Sequence, residues 1–493
     1  MSLGRRTFLR AVGVTAVGAA AAACSPSNPG QPPVVTVTSP PTPVPPPTSA
    51  VPSGPPDWNA LRSRVSGGLV LPGESGFDSA RHVFNPLFDG RKPAAVAKCA
   101  KPEDVQACVS AAAGRVPIAA RSGGHSYGGY SAPEGGLVVD VGSMSTVDVQ
   151  GDKVVIGAGA RLKEVYAALD KAGRCLPAGS CPTVGIAGLT LGGGIGVLSR
   201  KYGLTCDHLV SAQVVTADGK LRTASADSEP DLYWALRGGG GGNFGIVTSF
   251  TFSTDPAPNV TVFSLHFPAG AADDVLGAWQ SWLPAAPPEL WANLVISGGS
   301  PVQSRVGGCF VGSGGALAPL LDDLVARTGA RPTSRTSKAV DYGGAMKYFS
   351  GSENRQSFVA SSRIIDKPLG DPAKLTSLVA GHKGMDLLID GLGGAVGTPA
   401  PTDTAFWHRK ALASVQIYSP ASAQNARAAT TSVADVVSGL AAIGVGGGYV
   451  NYLDPALPDW MTAYYGDNVT RLKQVAKTYD PNKVFGFAQG ITP

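Results

Sequence analysis

The sequence predicts an α+β fold in which two parts of one domain enclose an inserted second domain. Short β-branched runs alternate with amphipathic helical segments up to about residue 252, which is typical of mixed α and β structure. Longer alternating segments, interspersed with Ala- and Leu-rich helices, follow in 253–448 and predict a sheet. The last stretch, 449–493, returns to strand, helix and turn patterns. We therefore expect a first part at 57–252, an inserted sheet domain at 253–448 and a C-terminal part at 449–493.

The first 24 residues are predicted to be a bacterial export signal. Arg5 and Arg6 precede an apolar run of small residues, 11–23, which is too short to span a bilayer as a mature helix. Paired arginines before such a run are typical of the twin-arginine route. This route carries folded proteins, so it suits a protein whose cofactor is inserted first. We expect an exported protein at the outer face of the cytoplasmic membrane, in the cell envelope or secreted.

Cys24 stands at the end of the apolar run, where two outcomes of processing are open. Lipidation of Cys24 after cleavage would anchor the protein to the membrane, whereas simple cleavage would release it. Residues 25–56 contain thirteen prolines among Ser, Thr and Val. Because this composition cannot bury a core, we expect a Pro-rich linker at 25–56.

Charge and cysteine content argue against a nucleic-acid-binding protein and against a fold held together by disulfides or a metal ion. The net charge is only +5 and no cluster of Lys and Arg follows the signal, so we expect a small or neutral partner and no nucleic acid. The seven cysteines form no C-x-x-C pair, and no metal site is predicted. If Cys24 and one further cysteine have special roles, an odd number remains, and disulfides are not expected to hold the fold together. The five that remain are Cys99, Cys108, Cys175, Cys206 and Cys309.

The first part begins with alternating helices and strands. PEDVQACVSAAA at 102–113 has acidic residues in its first turn and predicts a helix, and RVPIAARSGG at 115–124 predicts a buried strand that ends in a glycine turn. Two more strands are predicted at 136–144 and 153–160. RLKEVYAALDKAG at 161–173 has the spacing of an amphipathic helix that ends at its glycine.

The inserted and C-terminal parts continue with strands and a helix. VTVFSLHF at 260–267, ANLVISGG at 292–299 and SVQIYSP at 414–420 predict strands of the inserted sheet. GGYVNYLD at 447–454 alternates with period two, and NVTRLKQVAKTYDPNKVF at 468–485 predicts a helix followed by a turn. In the strand predicted at 447–454, Tyr449 and Asn451 would lie on one face and Tyr452 on the other.

Gly124 to Gly128, GHSYG, fits the G-x-S-x-G pattern of a hydrolase nucleophile elbow with Ser126 as nucleophile. An elbow requires a helix directly after the serine. Pro133, Gly135 and Gly136 follow instead and predict a loop that runs into a strand. The context therefore disfavours the hydrolase hypothesis, which a yellow purified protein would rule out.

GGGNFG at 240–245 fits the dinucleotide-binding pattern G-x-G-x-x-G. The segment that follows, IVTSFTF at 246–252, predicts a strand, whereas a dinucleotide fingerprint requires a helix whose N-terminus faces the pyrophosphate. A Rossmann site is therefore disfavoured, although the glycines would still permit backbone to lie against a cofactor.

Four separated motifs carry a closer resemblance. RSGGHSYGGYS at 121–131, GSCPTVGIAGLTLGGGIGVLSRKYGL at 179–204, YVNYLD at 449–454 and YDPNKVFGFAQGI at 479–491 occur in one order. Together they resemble the berberine-bridge-enzyme-like family of the vanillyl-alcohol oxidase superfamily, over about residue 90 to the end. The resemblance implies a two-part FAD-binding domain of the vanillyl-alcohol oxidase type, with an inserted substrate domain built on an antiparallel sheet covered by helices.

The resemblance also implies that FAD is held covalently at two positions. The matching residues are His125, for the 8α-methyl group of the flavin, and Cys181, for its C6 atom. The residue chemistry agrees, because an imidazole and a thiolate are suited to adding to an electron-poor flavin and neighbouring glycines allow close approach.

Further contacts with FAD are implied position by position. Leu189 is a departure, since plant members often carry histidine there. The implied contacts are Arg121, Ser122, Gly123, Gly124 and Ser126 for the pyrophosphate, Gly185, Gly188 and Gly193 for the ribityl and adenine side, Ile246 and Val247 for adenine, Thr183 and Val184 for the isoalloxazine, and Tyr449 and Asn451 for the cofactor generally.

The resemblance assigns the catalytic base to Tyr452, which would take the proton of a substrate hydroxyl while hydride passes to the flavin N5. A phenol with a pKa near 10 then needs a nearby cation or strong donor that lowers the pKa. Gln416 lies where some plant members have a glutamate base, and we expect it to orient Tyr452 or the substrate. Tyr127 is a further candidate for the catalytic group.

The electron acceptor implied by the resemblance is dioxygen. In the family, the residue three positions after the flavin-bound cysteine gates oxygen, and here it is Val184, a small side chain. Two alternatives stay open: a dehydrogenase that uses a quinone or protein acceptor, and a non-catalytic exported flavin-binding protein. The substrate can be a sugar, an oligosaccharide, an aromatic alcohol or another secondary-metabolite alcohol.

Overall fold

Residues 54–493, which the computed structural model describes, form fourteen α-helices and eighteen strands in four sheets. The predicted export signal lies outside the described residues, and so does the predicted linker except for residues 54–56. Within the described part of the chain, no helix is both long and apolar enough to cross a membrane.

The strands and helices follow one another along the chain with short connections. The strands are β1 Leu69–Val70, β2 Ala95–Lys98, β3 Ile118–Arg121, β4 Leu137–Asp140, β5 Val147–Gln150, β6 Lys153–Gly157, β7 Arg174–Cys175, β8 Leu209–Val215, β9 Leu221–Ser225, β10 Ile246–Ser253, β11 Asp255–Pro256, β12 Val260–His266, β13 Leu290–Ser297, β14 Gln303–Val311, β15 Ser334–Val340, β16 Phe358–Ile365, β17 Asp386–Gly391 and β18 Ala413–Pro420. The helices are α1 Trp58–Arg62, α2 Phe77–Arg81, α3 Pro102–Ala112, α4 Leu162–Lys171, α5 Ile186–Leu191, α6 Ser199–Tyr202, α7 Pro230–Ala235, α8 Ala272–Ala285, α9 Gly314–Thr328, α10 Tyr342–Phe349, α11 Ala373–Thr376, α12 Ala426–Ala442, α13 Trp460–Tyr465 and α14 Val469–Tyr479.

Two sheets form the first part of the fold. One has the order β1-β2-β4-β3, in which β2 and β3 both run parallel to β4. The other is antiparallel with the order β5-β6-β10-β8-β9. Leu472 and Ile491 from the C-terminal part pack in the same core as Leu137 and Phe250, so the end of the chain completes the first part.

All strands between residues 260 and 420 belong to one antiparallel sheet with the order β15-β12-β14-β13-β17-β18-β16. One face is apolar: Phe263, Leu294 and Ile389 pack in a common core with Trp279 of α8 and Val433 of α12. Because side chains alternate along a strand, the other face carries a different set, and that set is largely polar. The predicted fold class is confirmed, including the antiparallel sheet covered by helices.

The polar face follows from the strand register. Asn293 of β13 pairs with Asp390 of β17, and Leu388 of β17 pairs with Gln416 of β18. On the other side, Arg305 of β14 pairs with Val295 of β13. These residues lie on neighbouring strands yet are far apart along the chain. The register therefore brings together groups that no local sequence pattern connects.

The predicted strand at 447–454 is wrong. Val450–Tyr452 is a 3-10 helix, in which the Tyr452 N–H donates to the Tyr449 carbonyl at 2.8 Å. Next to this segment, Gly446 forms a single bridge to Ile364 of β16, and no strand ladder extends from there into 447–454. Side-chain bonds replace the ladder, because the Tyr449 N–H donates to Ser362 Oγ at 2.9 Å. Tyr449 and Tyr452 consequently contact one another instead of pointing to opposite faces.

Candidate active site

A cavity of about 990 Å³ lies between the glycine-rich loops of the first part and the polar face of the seven-stranded sheet. Residues from the C-terminal part, including Asn451 and Gln489, close one side. Most of the predicted site residues line it: Ser122, Gly123, Gly124, His125, Ser126, Tyr127, Cys181, Val184, Gly185, Gly188, Val247, Gln416, Tyr449, Asn451 and Tyr452.

The two glycine-rich loops that carry His125 and Cys181 pack backbone against backbone. A Cβ atom on Gly185 would overlap Ser122 Oγ, and one on Gly123 would overlap the Gly185 backbone nitrogen. Ser122 Oγ in turn donates to the Ala158 carbonyl at 2.6 Å, which fixes the first loop on the strand next to it. Glycine is required at both positions because of the close approach.

His125 and Cys181 meet at one hydroxyl group. Thr183 Oγ1 lies 3.0 Å from His125 Nε2 and 3.7 Å from Cys181 Sγ, so both side chains stand side by side at the cavity wall. Phe84 stacks on the imidazole with ring centroids 3.8 Å apart. Burial, with the positive charge of Arg161, lowers the pKa of His125 to about 4. The imidazole is therefore neutral at pH 7 and available as a nucleophile.

The structure brings the three predicted catalytic residues together. Tyr127 and Tyr452 stack with centroids 5.4 Å apart and an interplanar angle of 17°. Gln416 Nε2 donates to the Tyr127 hydroxyl at 2.5 Å. The glutamine therefore orients Tyr127, whereas one of its two predicted roles was to orient Tyr452. Tyr449 packs edge-on against Tyr452 at 5.0 Å. Tyr127, Gln416, Tyr449 and Tyr452 thus form one cluster, the catalytic corner, where the sheet meets the C-terminal part.

The expectation that a neighbouring group lowers the pKa of Tyr452 is not met among the described residues. Burial raises its pKa well above 10, and the negative charge of Asp390 raises it further. Asp390 also lines the cavity, and burial raises the pKa of this carboxyl group to about 7. An acid with a pKa near 7 exchanges a proton readily at neutral pH.

Sequence reasoning missed Asp390. Nothing around it in β17 resembles a motif, and its position becomes informative only when the register places it between Asn293 and Ser414. Its carboxyl group faces a cavity, which is a signal that one sequence cannot give.

Four predicted cofactor contacts lie off the main cavity. The guanidinium of Arg121 pairs with Asp140 at 2.6 Å and faces a second cleft on the other side of the His125 loop. A Cβ on Gly193 would meet the Phe406 ring at 2.8 Å, so this glycine serves packing. Ile246 is buried in β10, opposite Val215. Thr183 lines the second cleft but reaches the site through His125.

The two disfavoured motifs behave as expected. No helix follows Ser126, whose Oγ accepts a hydrogen bond from the Tyr130 N–H, and the next regular element is β4. Strand β10 begins directly after Gly245, where a dinucleotide fingerprint would need a helix. Neither a nucleophile elbow nor a Rossmann turn is therefore present at these positions.

The residues around the cavity fit an elongated cofactor with a flat ring system. Gly188 has no atom within 4 Å of a hypothetical Cβ, so its backbone is open to the cavity. Gln489 Oε1 is buried and has no hydrogen-bond partner among residues 54–493. The open backbone at Gly188, the unused Gln489 Oε1 and the two adjacent nucleophiles His125 and Cys181 together match the needs of FAD.

Comparisons with known proteins agree with this geometry. A family model described as an FAD binding domain matches residues 93–225, and one described as "Berberine and berberine like" matches residues 448–492. The chain is 36% identical to an uncharacterized FAD-linked oxidoreductase, YgaK, of Bacillus subtilis, over 88% of this chain and 98% of that protein.

Two oligosaccharide oxidases are also similar. The chitooligosaccharide oxidase of Gibberella zeae is 31% identical over 82% of this chain and 88% of its own length. A solved structure of glucooligosaccharide oxidase from Acremonium strictum, described as carrying a 6-S-cysteinyl, 8α-N1-histidyl FAD, matches with a TM-score of 0.78 and 27% identity. That match covers 86% of this chain and 97% of the other.

Proposed function

We propose that this chain, which belongs to the berberine-bridge-enzyme-like family of FAD-linked oxidoreductases, oxidises the end of an oligosaccharide and passes the electrons to dioxygen. The observation that carries the proposal is the position of Tyr452, Tyr127 and Asp390 beside the loops of His125 and Cys181. Oxidation of sugar-type substrates is also what the names of similar proteins indicate.

His125 and Cys181 are proposed to hold the cofactor covalently. Thr183 engages His125 Nε2, which leaves Nδ1 as the nitrogen that can form a bond. The 8α-methyl group and C6 belong to the same ring of a flavin, which suits two side chains that share one hydroxyl neighbour. When bound, FAD supplies a two-electron acceptor for the hydride of the substrate.

Tyr452 and Asp390 are proposed to handle the proton of the substrate hydroxyl. A phenol with a raised pKa is a poor base when it is alone. Asp390, with a pKa of about 7, can receive the proton that Tyr452 relays or can accept it directly. The substrate loses a hydride and a proton and becomes a carbonyl compound, which for a sugar hemiacetal is a lactone. Dioxygen takes up two electrons and two protons to give hydrogen peroxide.

The test combines the cofactor and the product. The purified protein is precipitated with acid, and the pellet is expected to be yellow because the flavin is covalently bound. Chitooligosaccharides, xylooligosaccharides and glucooligosaccharides are then assayed for peroxide formation. Flavin found in the supernatant of the unsubstituted protein contradicts covalent attachment, and a flavin that none of these sugars reduces contradicts sugar oxidation.

Each attachment point is tested separately. His125→Ala and Cys181→Ala are each expected to retain covalent flavin through the other residue, whereas the double substitution releases it on denaturation. Cys309→Ala serves as the control, because this buried cysteine does not line the cavity. Loss of covalent flavin in Cys309→Ala would point to a general folding effect instead.

A further inference from the structure

Charge is distributed unequally over the polar face of the seven-stranded sheet. Asp386 and Asp390 both line the cavity and lie on β17, next to the strand that carries Gln416. Arg305 lies two strands away on β14, and the exposed His266 of β12 is directly opposite it. A substrate in the cavity therefore meets acidic groups on β17 and a basic group, Arg305, on β14.

The guanidinium of Arg305 lies within the cavity. Its Nη1 atom is 3.3 Å from the position that a Cβ on Gly307 would occupy, and Asn293 Oδ1 is 3.2 Å from the same position. The absence of a side chain at Gly307 thus leaves room for the guanidinium on the sheet surface. Arg305, Gly307 and Asn293 all line the cavity.

Arg305 is half-buried and has no carboxylate partner among residues 54–493, in contrast to two of the fully buried arginines. Arg121 pairs with Asp140, and Arg409 pairs with Asp207. Guanidinium groups recognise carboxylates through two parallel hydrogen bonds, and such charge-assisted bonds are among the strongest in proteins. A guanidinium that faces a cavity without an internal partner can make these bonds to a ligand.

The distance between Arg305 and the catalytic corner limits where the ligand carries its charge. Arg305, Val295, Leu388 and Gln416 form one row across four strands. Strands lie about 4.8 Å apart, so Arg305 and Gln416 are about 14 Å apart along the sheet. This span exceeds a single pyranose ring, and an anion held at Arg305 therefore belongs to a unit beyond the one that is oxidised.

Aromatic groups also line the cavity. Tyr348 is 48% exposed, and Phe349 packs edge-on against Trp291 with ring centroids 6.0 Å apart. All three line the cavity together with Arg305. Sugar rings stack on aromatic surfaces, so these side chains suit a cavity that binds an oligosaccharide.

From these contacts we infer that the preferred substrate is an acidic oligosaccharide, whose carboxylate, on a unit beyond the oxidised one, binds Arg305. The inference rests on the proposed sugar oxidation and specifies its substrate class. Asp386 and Asp390 repel a carboxylate from the catalytic end, so the charge distribution also fixes the direction in which the chain binds.

The test uses two trisaccharides of the same linkage, one with a uronic acid in its non-reducing unit and one neutral. The unsubstituted holoenzyme is expected to have a KM at least about tenfold lower for the acidic trisaccharide, because charge-assisted hydrogen bonds contribute affinity of this order. Arg305→Gln raises the KM for the acidic trisaccharide about tenfold or more, leaves kcat within twofold and leaves the neutral substrate unaffected. A trisaccharide sulfated at the same unit shows whether a carboxylate is specifically required.

Two variants serve as controls. Arg335→Gln changes an arginine of the same sheet that pairs with Asp322, and it is expected to alter neither KM. Arg305→Lys keeps the charge but loses the planar fork, so an intermediate KM for the acidic substrate is expected. Thermal melting of each variant confirms that it is folded.

Two results overturn the inference: equal KM values for both trisaccharides in the unsubstituted enzyme, or an equal rise of both KM values in Arg305→Gln. If neither trisaccharide reduces the flavin, sugar oxidation itself is contradicted. In that case, calorimetric titration of the same two trisaccharides into the unsubstituted and Arg305→Gln holoenzymes measures whether binding of the acidic trisaccharide depends on Arg305. Binding of the acidic trisaccharide that does not depend on Arg305 would refute the inference.

Discussion

The cavity has two walls that are built in different ways. On the cofactor side, the loops of His125 and Cys181 are shaped by backbone contacts in which a Cβ at Gly123 or Gly185 has no room. On the substrate side, the sheet face presents side chains such as Asp390 from regular strands. Changes on the cofactor side should therefore affect folding and flavin retention, whereas changes on the sheet side should affect rate and specificity with the fold intact.

The strongest test of this difference is at the catalytic corner. Tyr452→Phe and Asp390→Asn are each expected to lower the rate of anaerobic flavin reduction by on the order of 10² or more, since general-base catalysis typically contributes 10² to 10⁴. The covalent flavin should be unchanged in both variants, and the melting profile should be unchanged in Tyr452→Phe. Stopped-flow reduction by substrate measures the effect.

Matched controls are available on β17 and on its neighbour β18. Asp386→Asn removes a carboxylate of β17 that accepts a hydrogen bond from Ser297 at 2.6 Å, and Tyr418→Phe removes a hydroxyl of β18. Both should lower the rate less than tenfold. A loss below about threefold in Tyr452→Phe would assign the proton transfer to another residue, with Tyr127 the next to test.

On the cofactor side, Gly185→Ala should reduce the free energy of unfolding by roughly 3 kcal/mol, the upper part of the range for overpacked sites. Gly185 has φ −78°, which alanine adopts freely, so the cost is steric and comes from Ser122 Oγ and the Gly123 nitrogen. Gly188→Ala is the control, because nothing lies within 4 Å of its Cβ. Denaturant unfolding of both variants compares them, and equal stabilities would refute the steric argument.

The sequence predicted the cofactor wall better than the substrate wall, and the reason is physical. His125 and Cys181 stand in contiguous glycine-rich loops, so the chemistry and the local backbone requirement appear in the same stretch of chain. Asp390 and Arg305 acquire meaning only from strand register, which depends on pairing between distant segments. The alternation around Tyr449 predicted a strand because the pattern alone does not show that this segment contacts β16 through one bridge at Gly446 and a side-chain bond to Ser362 instead of a backbone ladder.

A smaller effect is expected in the pH dependence of stability. The pKa of Asp390 is raised from 3.8 to about 7, so the folded protein binds more protons than the unfolded chain between these values. The carboxyl group therefore lowers stability progressively as pH rises from 4 to 7, and the full cost is present above pH 7. At pH 8 the free energy of unfolding of Asp390→Asn should thus exceed that of the unsubstituted protein by roughly 2 kcal/mol. The difference is smaller than the full shift in pKa implies because water in the cavity screens part of the charge. The two proteins should converge near pH 4, and a gap that is independent of pH would contradict the assignment.

The smallest expected effect concerns the acceptor, and it tests whether the cofactor wall also controls a reaction rate. Val184 lines the cavity, and its backbone is fixed because its N–H donates to the Cys181 carbonyl at 3.3 Å and its own carbonyl accepts from the Leu162 N–H at 2.9 Å. The side chain cannot move aside, so one added methylene occupies space that a diatomic molecule needs. Val184→Leu should slow reoxidation of the reduced enzyme in aerated buffer about tenfold, which corresponds to 1.36 kcal/mol in activation free energy, and leave anaerobic reduction unchanged.

Val184→Ala is the control and should reoxidise at least as fast as the unsubstituted protein. Sluggish reoxidation of the unsubstituted protein, with rapid turnover on an artificial quinone, would instead establish a dehydrogenase, and the small side chain at position 184 would then serve cofactor packing alone.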